Sequence, residues 1–211
     1  MFVYDVAHWS TFFVAAFLLN LSPGPDIAFI LGHTVKGGAK AGTAAMLGIW
    51  TGAFGHVVLA VSGLSAIVAA SAIAFSAVKW IGVAYLVWIG IAAIRSSGAS
   101  LMPKVLPAQK GNWTIFRQGV LIDLLNPKVA IFFLAFLPQF TSPGAGPIWA
   151  QLFLHGTLII VVAAVIEPPL VMLGGRLTAK LRDSPRVAVW LDRTLGTLLI
   201  GLAARLAYLE R

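Results

Sequence analysis

Asn20-Leu21-Ser22-Pro23-Gly24-Pro25-Asp26 sits inside a long apolar run, and Asp123-Leu124-Leu125-Asn126-Pro127-Lys128 sits inside another in the second half of the chain. Proline has no N–H to give. In a helix Pro23 leaves the carbonyl of Leu19 without its donor, Pro25 that of Leu21, and Pro127 that of Asp123. Hydrocarbon offers no substitute, so each freed carbonyl needs another partner. Two interrupted helices at corresponding places in two halves are the strongest sequence pointer to a midplane binding site in a secondary transporter. The chemistry suits a zwitterion. Freed carbonyls accept from an ammonium group, and exposed N–H groups at a half-helix start favour a carboxylate. Asn20 and Asn126 do either. The plainer alternative is a pair of proline kinks, which membrane helices tolerate.

The surroundings fix the solvent as lipid. Of 211 residues, 59% are hydrophobic and 10% charged, against about 25% charged in a soluble domain. Spans of about 20 apolar residues are expected at Trp9–Gly32, Ala41–Val61, Phe75–Ile94, Gln118–Phe140, Trp149–Leu173 and Val187–Tyr208. Residues 66–74 continue the second helix or lie on the outer surface. MFVYDVAHW at the start has no Lys or Arg ahead of its apolar run, unlike a cleaved signal peptide, so the first run is expected to stay as a span. The length fits one domain over residues 1–211. The net charge of +8 is spread through short gaps between apolar runs, which speaks against nucleic acid. With no Cys, thiol chemistry and thiolate metal sites are excluded.

The basic residues orient the spans. Lys36 and Lys40 fall in the first loop, Arg95, Lys104, Lys110 and Arg117 in the third, and Arg176, Lys180, Arg182 and Arg186 in the fifth. The positive-inside rule places these loops in the cytoplasm and both termini outside. Trp9, Trp80 and Trp149 then fall at outer ends of spans, where amphipathic rings sit well. Three spans followed by three of opposite orientation predict two inverted repeats, about 1–97 and 112–211. The expected fold is thus an all-α transmembrane six-helix bundle with interrupted first and fourth helices. Pro25-Asp26-Ile27-Ala28 aligns with Pro127-Lys128-Val129-Ala130.

Asp26, Asp123, Lys128 and Glu167 place charge within spans, at roughly 2.5–3.5 kcal/mol each near a helix centre. Such groups face the bundle interior and pair. Lys128 lies about 16 Å along the helix from Arg117, too deep to snorkel. Asp26 is its expected partner, either as part of a working site or as a static pair holding the halves in register. Glu167 precedes Pro168-Pro169, a third expected break. It is a candidate proton carrier, or a residue reaching toward Arg176. His56 and His155 are read as hydrogen-bonded packing rather than ligands. Gly48 and Gly52 form GxxxG, a close-packing motif for use within the protomer or across a homodimer.

SPGPD in the first span with LNPKVAIFFLAFLPQF in the fourth resembles the LysE/RhtB family of small amino-acid exporters (lysine exporter; homoserine and threonine resistance). The likeness runs over nearly the whole chain. It implies export of amino acids or their derivatives from the bacterial cytoplasm through the inner (plasma) membrane, driven by proton antiport. On it, Pro23, Gly24, Pro25 and Asp26 carry over as signature positions, as do Asn126, Pro127 and Lys128. With Asn20 these form the expected substrate-binding set. Asp26, Asp123, Lys128 and Glu167 are the proton-coupling candidates on the physical reading. No cofactor is expected. A metal-cation exporter is the alternative, with Asp26, Asp123 and Glu167 as oxygen donors, although Lys128 at the same depth opposes a cation cage. An intramembrane enzyme finds no HExxH helix, no GxSxG elbow and no Cys nucleophile.

The orientation is directly testable. Alkaline phosphatase fused after Arg211 is expected to be active in intact bacteria, and the same reporter inserted at Ser100 inactive. The reverse pattern would invert the assignment.

Overall fold

The computed structural model describes residues 4–21, 24–64, 72–96, 111–142, 144–183 and 185–208. Ser22 and Pro23 of the first break, much of the 66–74 boundary, and Lys104 and Lys110 lie outside the described residues. Every regular element among those described is helical. In chain order these are α1 (Val6–Leu21), α2 (Pro25–Leu59), a π-helical turn (Ala60–Leu64), α3 (Ala72–Ile94), α4 (Asn112–Leu124), α5 (Pro127–Ile131), α6 (Ile148–Asp183) and α7 (Pro185–Tyr208). Beyond α5 the chain runs on through a π-helical stretch, Phe132–Phe136, and a 3-10 turn, Leu137–Phe140. Both breaks fall where the prolines require. Pro25 opens α2 and Pro127 opens α5, the helix position where a missing N–H costs nothing. α4 and the segment from Pro127 to Phe140 meet at a bend of 47°.

The sequence places a loop at Lys36–Lys40. Helix instead runs through both lysines, and only Gly38 leaves helical geometry, at φ 73 and ψ −173. That one residue turns the chain back on itself. Thr34 packs against Gly42, though residues eight apart in a straight helix stand about 12 Å apart. Ile30 shares a core with Ala45 and Met46, and Asp26 shares a cavity with Ile49 and Trp50. These pairings are symmetric about Gly38, so α2 is a hairpin of two antiparallel arms. A positive φ of this size suits glycine, which has no Cβ to clash. The correction is one of economy: the turn needs one residue where a loop of several was expected. The third break expected at Pro168-Pro169 is also absent, since α6 contains both prolines and continues to Asp183. Their lost bonds, to Ala164 and Val165, leave a helix held on both sides of the gap.

Small residues set the closest helix contacts. A Cβ on Gly48 would lie 3.0 Å from the Cα of Gly119, and one on Gly119 would lie 2.8 Å from the carbonyl oxygen of Ala45. A Cβ on Gly52 would lie 2.6 Å from the Cβ of Asp123. The GxxxG motif is therefore occupied within the protomer, by α4. The second such contact was not foreseen: a Cβ on Gly90 of α3 would come 2.8 Å from the carbonyl of Gly196 in α7. Leu86, Leu199 and Ala203 pack beside it.

Burial is inverted relative to a water-soluble protein. Phe17, Phe54, Val58, Trp88, Val161 and Val165 are exposed, while Asp26, His56, Asp123, Asn126, Lys128, His155 and Glu167 are buried. Apolar outside and ionisable inside is the arrangement that lipid requires. By length and composition Ile148–Gly174 can cross a membrane, as can the bent pair Asn112–Leu124 with Pro127–Phe140; Pro25–Gly63 passes the same test as one stretch, which the turn at Gly38 divides into two arms. Val6–Leu21 and Lys79–Ile94 are apolar and shorter.

Gly48→Ala is expected to overpack the α2–α4 crossing, at about 1–3 kcal/mol, and to lower Tm in detergent by about 2–4 °C per kcal/mol. Gly201→Ala, which meets nothing within 4 Å, should leave Tm unchanged or slightly raised. Equal effects of the two would remove the crossing from the account.

Candidate functional site

The two breaks meet. Asp26 follows Pro25 in the first turn of α2, and Lys128 follows Pro127 in the first turn of α5. Lys128 Nζ donates to Asp26 Oδ2 at 3.0 Å and to Oδ1 at 3.3 Å. The two side chains are 9% and 10% exposed. A cation in a first helical turn opposes the helix dipole, whereas an anion there is favoured. Asp26 therefore suits its position and Lys128 does not, so the carboxylate must compensate both burial and dipole. Gly24 makes room for the pair: a Cβ there would lie 2.8 Å from Lys128 Nζ. Its φ of −167 is ordinary extended backbone, so the demand for glycine at this position is one of space.

Each asparagine holds its break. Asn126 caps α5, its side-chain oxygen accepting from the backbone N–H of Lys128 at 3.1 Å. Its buried Nδ2 has no partner among the described residues. Asn20 Nδ2 donates to the carbonyls of Ala16 at 2.8 Å and Ile159 at 3.3 Å, which ties α1 to α6. The carbonyl of Asp123, freed by Pro127, accepts from His56 Nε2 at 3.1 Å and from the N–H of Asn126 at 2.9 Å. His56 thus replaces the donor that proline lacks.

A cavity of about 30 Å³ lies beside the ion pair. Asn20, Asp26, Trp50, Asp123 and Glu167 form its polar wall, and Leu19, Ile49, Ala53, Val129, Phe133, Ile159, Ile160 and Ala163 its apolar one. The space admits about one or two water-sized groups and no whole amino acid, so this is a closed conformation. Trp50 Nε1 donates to Glu167 Oε2 at 2.7 Å, linking α2 to α6. Glu167 thus lines the cavity. Trp50 went unnoticed in the sequence, although a tryptophan in mid-span needs a partner for its N–H.

Of the residues singled out beforehand, Asn20, Asp26, Asp123 and Glu167 line one cavity, and Lys128 is bonded to its rim. Gly24, Pro25, Asn126 and Pro127 shape the two helix starts, and Pro23 lies outside the described residues. His155 stands apart. Its Nε2 meets His8 Nε2 at 2.8 Å, and its Nδ1 donates to the carbonyl of Gln151 at 2.8 Å. Among the described residues no group of three or more His, Asp and Glu is arranged to hold a metal ion.

Fold and site together define a helical membrane protein whose interrupted helices meet over a buried, charged cavity. The family model of the LysE type translocator matches residues 17–210, and the chain belongs to that family. It is 31% identical over 199 residues to a homoserine/homoserine lactone efflux protein of Salmonella typhi, covering 94% of this chain and 95% of that one. It is 28% identical over 211 residues to a leucine efflux protein of Salmonella choleraesuis, covering 98% of each. A membrane protein of Vibrio cholerae serotype O1, named as uncharacterized, is 30% identical over 203 residues, covering 96% and 98%. No solved structure matches the chain.

Breaking the pair from one side should be costlier than removing it. Lys128→Met alone leaves Asp26 buried and unpaired, an expected loss of about 3–5 kcal/mol. Adding Asp26→Asn should restore most of the lost Tm. A double variant as unstable as the sum of the single ones would show that the two residues act independently.

Proposed function

We propose that this protein is a secondary transporter that exports neutral amino acids or their derivatives across the bacterial inner membrane. The observation that carries the reading is the Lys128–Asp26 pair, which joins the starts of two interrupted helices beside a cavity with one acidic and one apolar wall. Export is supported by relatives named for homoserine, homoserine lactone and leucine efflux. The apolar wall, with Leu19, Ile159 and Phe133, suits an aliphatic side chain. Asn20 and Asp26 would border the polar head, with Gly24, Pro25, Asn126, Pro127 and Lys128 shaping the two helix starts around it. The runner-up, metal-cation export, is favoured neither by those relatives nor by an ammonium group bonded to one of the three carboxylates.

In this reading the chain crosses the membrane six times as two inverted halves, with both termini outside. The halves rock about the cavity to open it to each side in turn. Proton antiport supplies the drive through Asp26, Asp123, Lys128 and Glu167. An inward proton neutralising Asp26 removes the partner of Lys128 and weakens the tie between α2 and α5.

The test uses proteoliposomes loaded with leucine, homoserine and other amino acids. Efflux of one or a few of them, accelerated by an inward proton gradient, is expected. Efflux indifferent to the gradient would retain the exporter and remove proton coupling. No amino-acid flux, with divalent-metal flux in the same vesicles, would overturn the proposal.

A further inference from the structure

Three carboxylates line the cavity, and two of them are already bonded. Asp26 accepts from Lys128 through both oxygens, and Glu167 accepts from Trp50. The third is different. Asp123 is 2% exposed, and its Oδ2 has no hydrogen-bond partner among the described residues. A buried carboxyl oxygen without a donor is costly in either protonation state. Nor is its place accidental. The Asp123 carbonyl is held by His56 and by the N–H of Asn126, which fixes the backbone that carries the carboxylate. Gly52 makes room for the side chain: a Cβ there would lie 2.6 Å from Asp123 Cβ and 3.1 Å from Oδ2, and Asp123 lines the cavity.

We propose that Asp123 is the specificity-determining residue of the cavity, receiving the ammonium group of the substrate on Oδ2. It follows that a free primary amine admits a compound to the site, and a free carboxylate contributes much less. An ammonium carries three donors. One meets Asp123. Asn20, whose Nδ2 is committed to Ala16 and Ile159, presents its side-chain oxygen to a second, and Glu167 accepts a third. No Lys or Arg lines the cavity among the described residues, and Lys128 is engaged by Asp26, so nothing of equal strength faces a carboxylate there. At about 30 Å³ the preformed space has the size of a head group, with room for one or two water-sized atoms. The rest of the molecule enters as the apolar wall moves. The inference deepens the export reading by using the same cavity, and a binding measurement separates the two.

The probes are leucinamide, which keeps the ammonium and lacks the carboxylate, and N-acetylleucine, which keeps the carboxylate and lacks the ammonium. Binding to the purified protein in detergent is read by calorimetry and by Tm. Leucinamide is expected to bind at least about tenfold more tightly than N-acetylleucine, the strength of one charge-assisted hydrogen bond. Asp123→Asn, nearly isosteric, should weaken leucinamide by about tenfold or more, and Asp123→Glu should recover part of that loss. The comparison of the two probes on the unaltered protein decides the matter even where a variant fails to fold. Equal binding of the probes, binding of neither, or an Asp123→Asn protein that binds leucinamide like the parent would overturn the proposal. Asp123-dependent binding without efflux in vesicles would leave the site standing and sink the export reading.

Discussion

Lys128 sits in the first turn of a helix, buried, with a dipole of the wrong sign behind it. Hydrocarbon gives it no water, so it must find its anion inside the protein. Asp26 is that anion, and several features of the fold answer the need. Pro25 and Pro127 each begin a helix one residue earlier, which brings both side chains to the same point. Gly24 leaves the space the pair fills. Asn126 fixes the turn from which Lys128 projects. An apolar pair of similar volume would be easier to bury. Under the proposed export reading, these charges serve more than cohesion.

The glycine contacts say which parts hold together. Gly48, Gly52 and Gly119 bring the second arm of α2 against α4 at backbone distance, and Gly90 and Gly196 do the same for α3 and α7. Without a hydrophobic drive between helices in lipid, such close van der Waals packing is the principal source of association. Around the cavity polar bonds join the packing. Asn20 reaches Ile159 across α1 and α6, Trp50 reaches Glu167 across α2 and α6, and Lys128 reaches Asp26 across α5 and α2. These bonds add to an apolar core that joins the same helices through Phe12, Leu19, Val57, Phe133 and Ile159, around a space too small for an amino acid.

The sequence shows some of this plainly and hides the rest for identifiable reasons. Proline's missing N–H is a local property, so Pro25 and Pro127 announce both breaks without any knowledge of neighbours. The partner of Lys128 was legible because a lysine at that depth needs an anion and the repeat argument brings the broken helices together. The reversal at Lys36–Lys40 was legible as a basic loop between two spans, but its form was not: nothing in a stretch with Gly37 and Gly38 side by side says that one residue at positive φ makes the whole turn. The Pro168-Pro169 expectation failed because local propensity was overridden by a helix continuing on both sides. Trp50 and His56 carry no spacing signal. Their roles follow from which acceptor lies opposite, Glu167 in one case and the freed carbonyl of Asp123 in the other. Gly90 and Gly196 sit in different helices, and neither has a GxxxG partner to mark it.

His56 shows how the breaks and the site are one construction. Breaking the fourth apolar segment at Pro127 frees a carbonyl that lipid will not accept. Filling that need from α2 commits a histidine to a backbone bond, which holds α4 against the second arm of α2 just where Gly52 allows contact. The consequence falls on the same residue. With its carbonyl held and its side chain packed on Gly52, the backbone of Asp123 is fixed at the edge of the cavity. The helix break therefore does more than expose backbone to a ligand. It sets the backbone that carries one carboxylate, Asp123, while the ion pair to Lys128 engages another, Asp26, so the acids of one cavity stand in different surroundings.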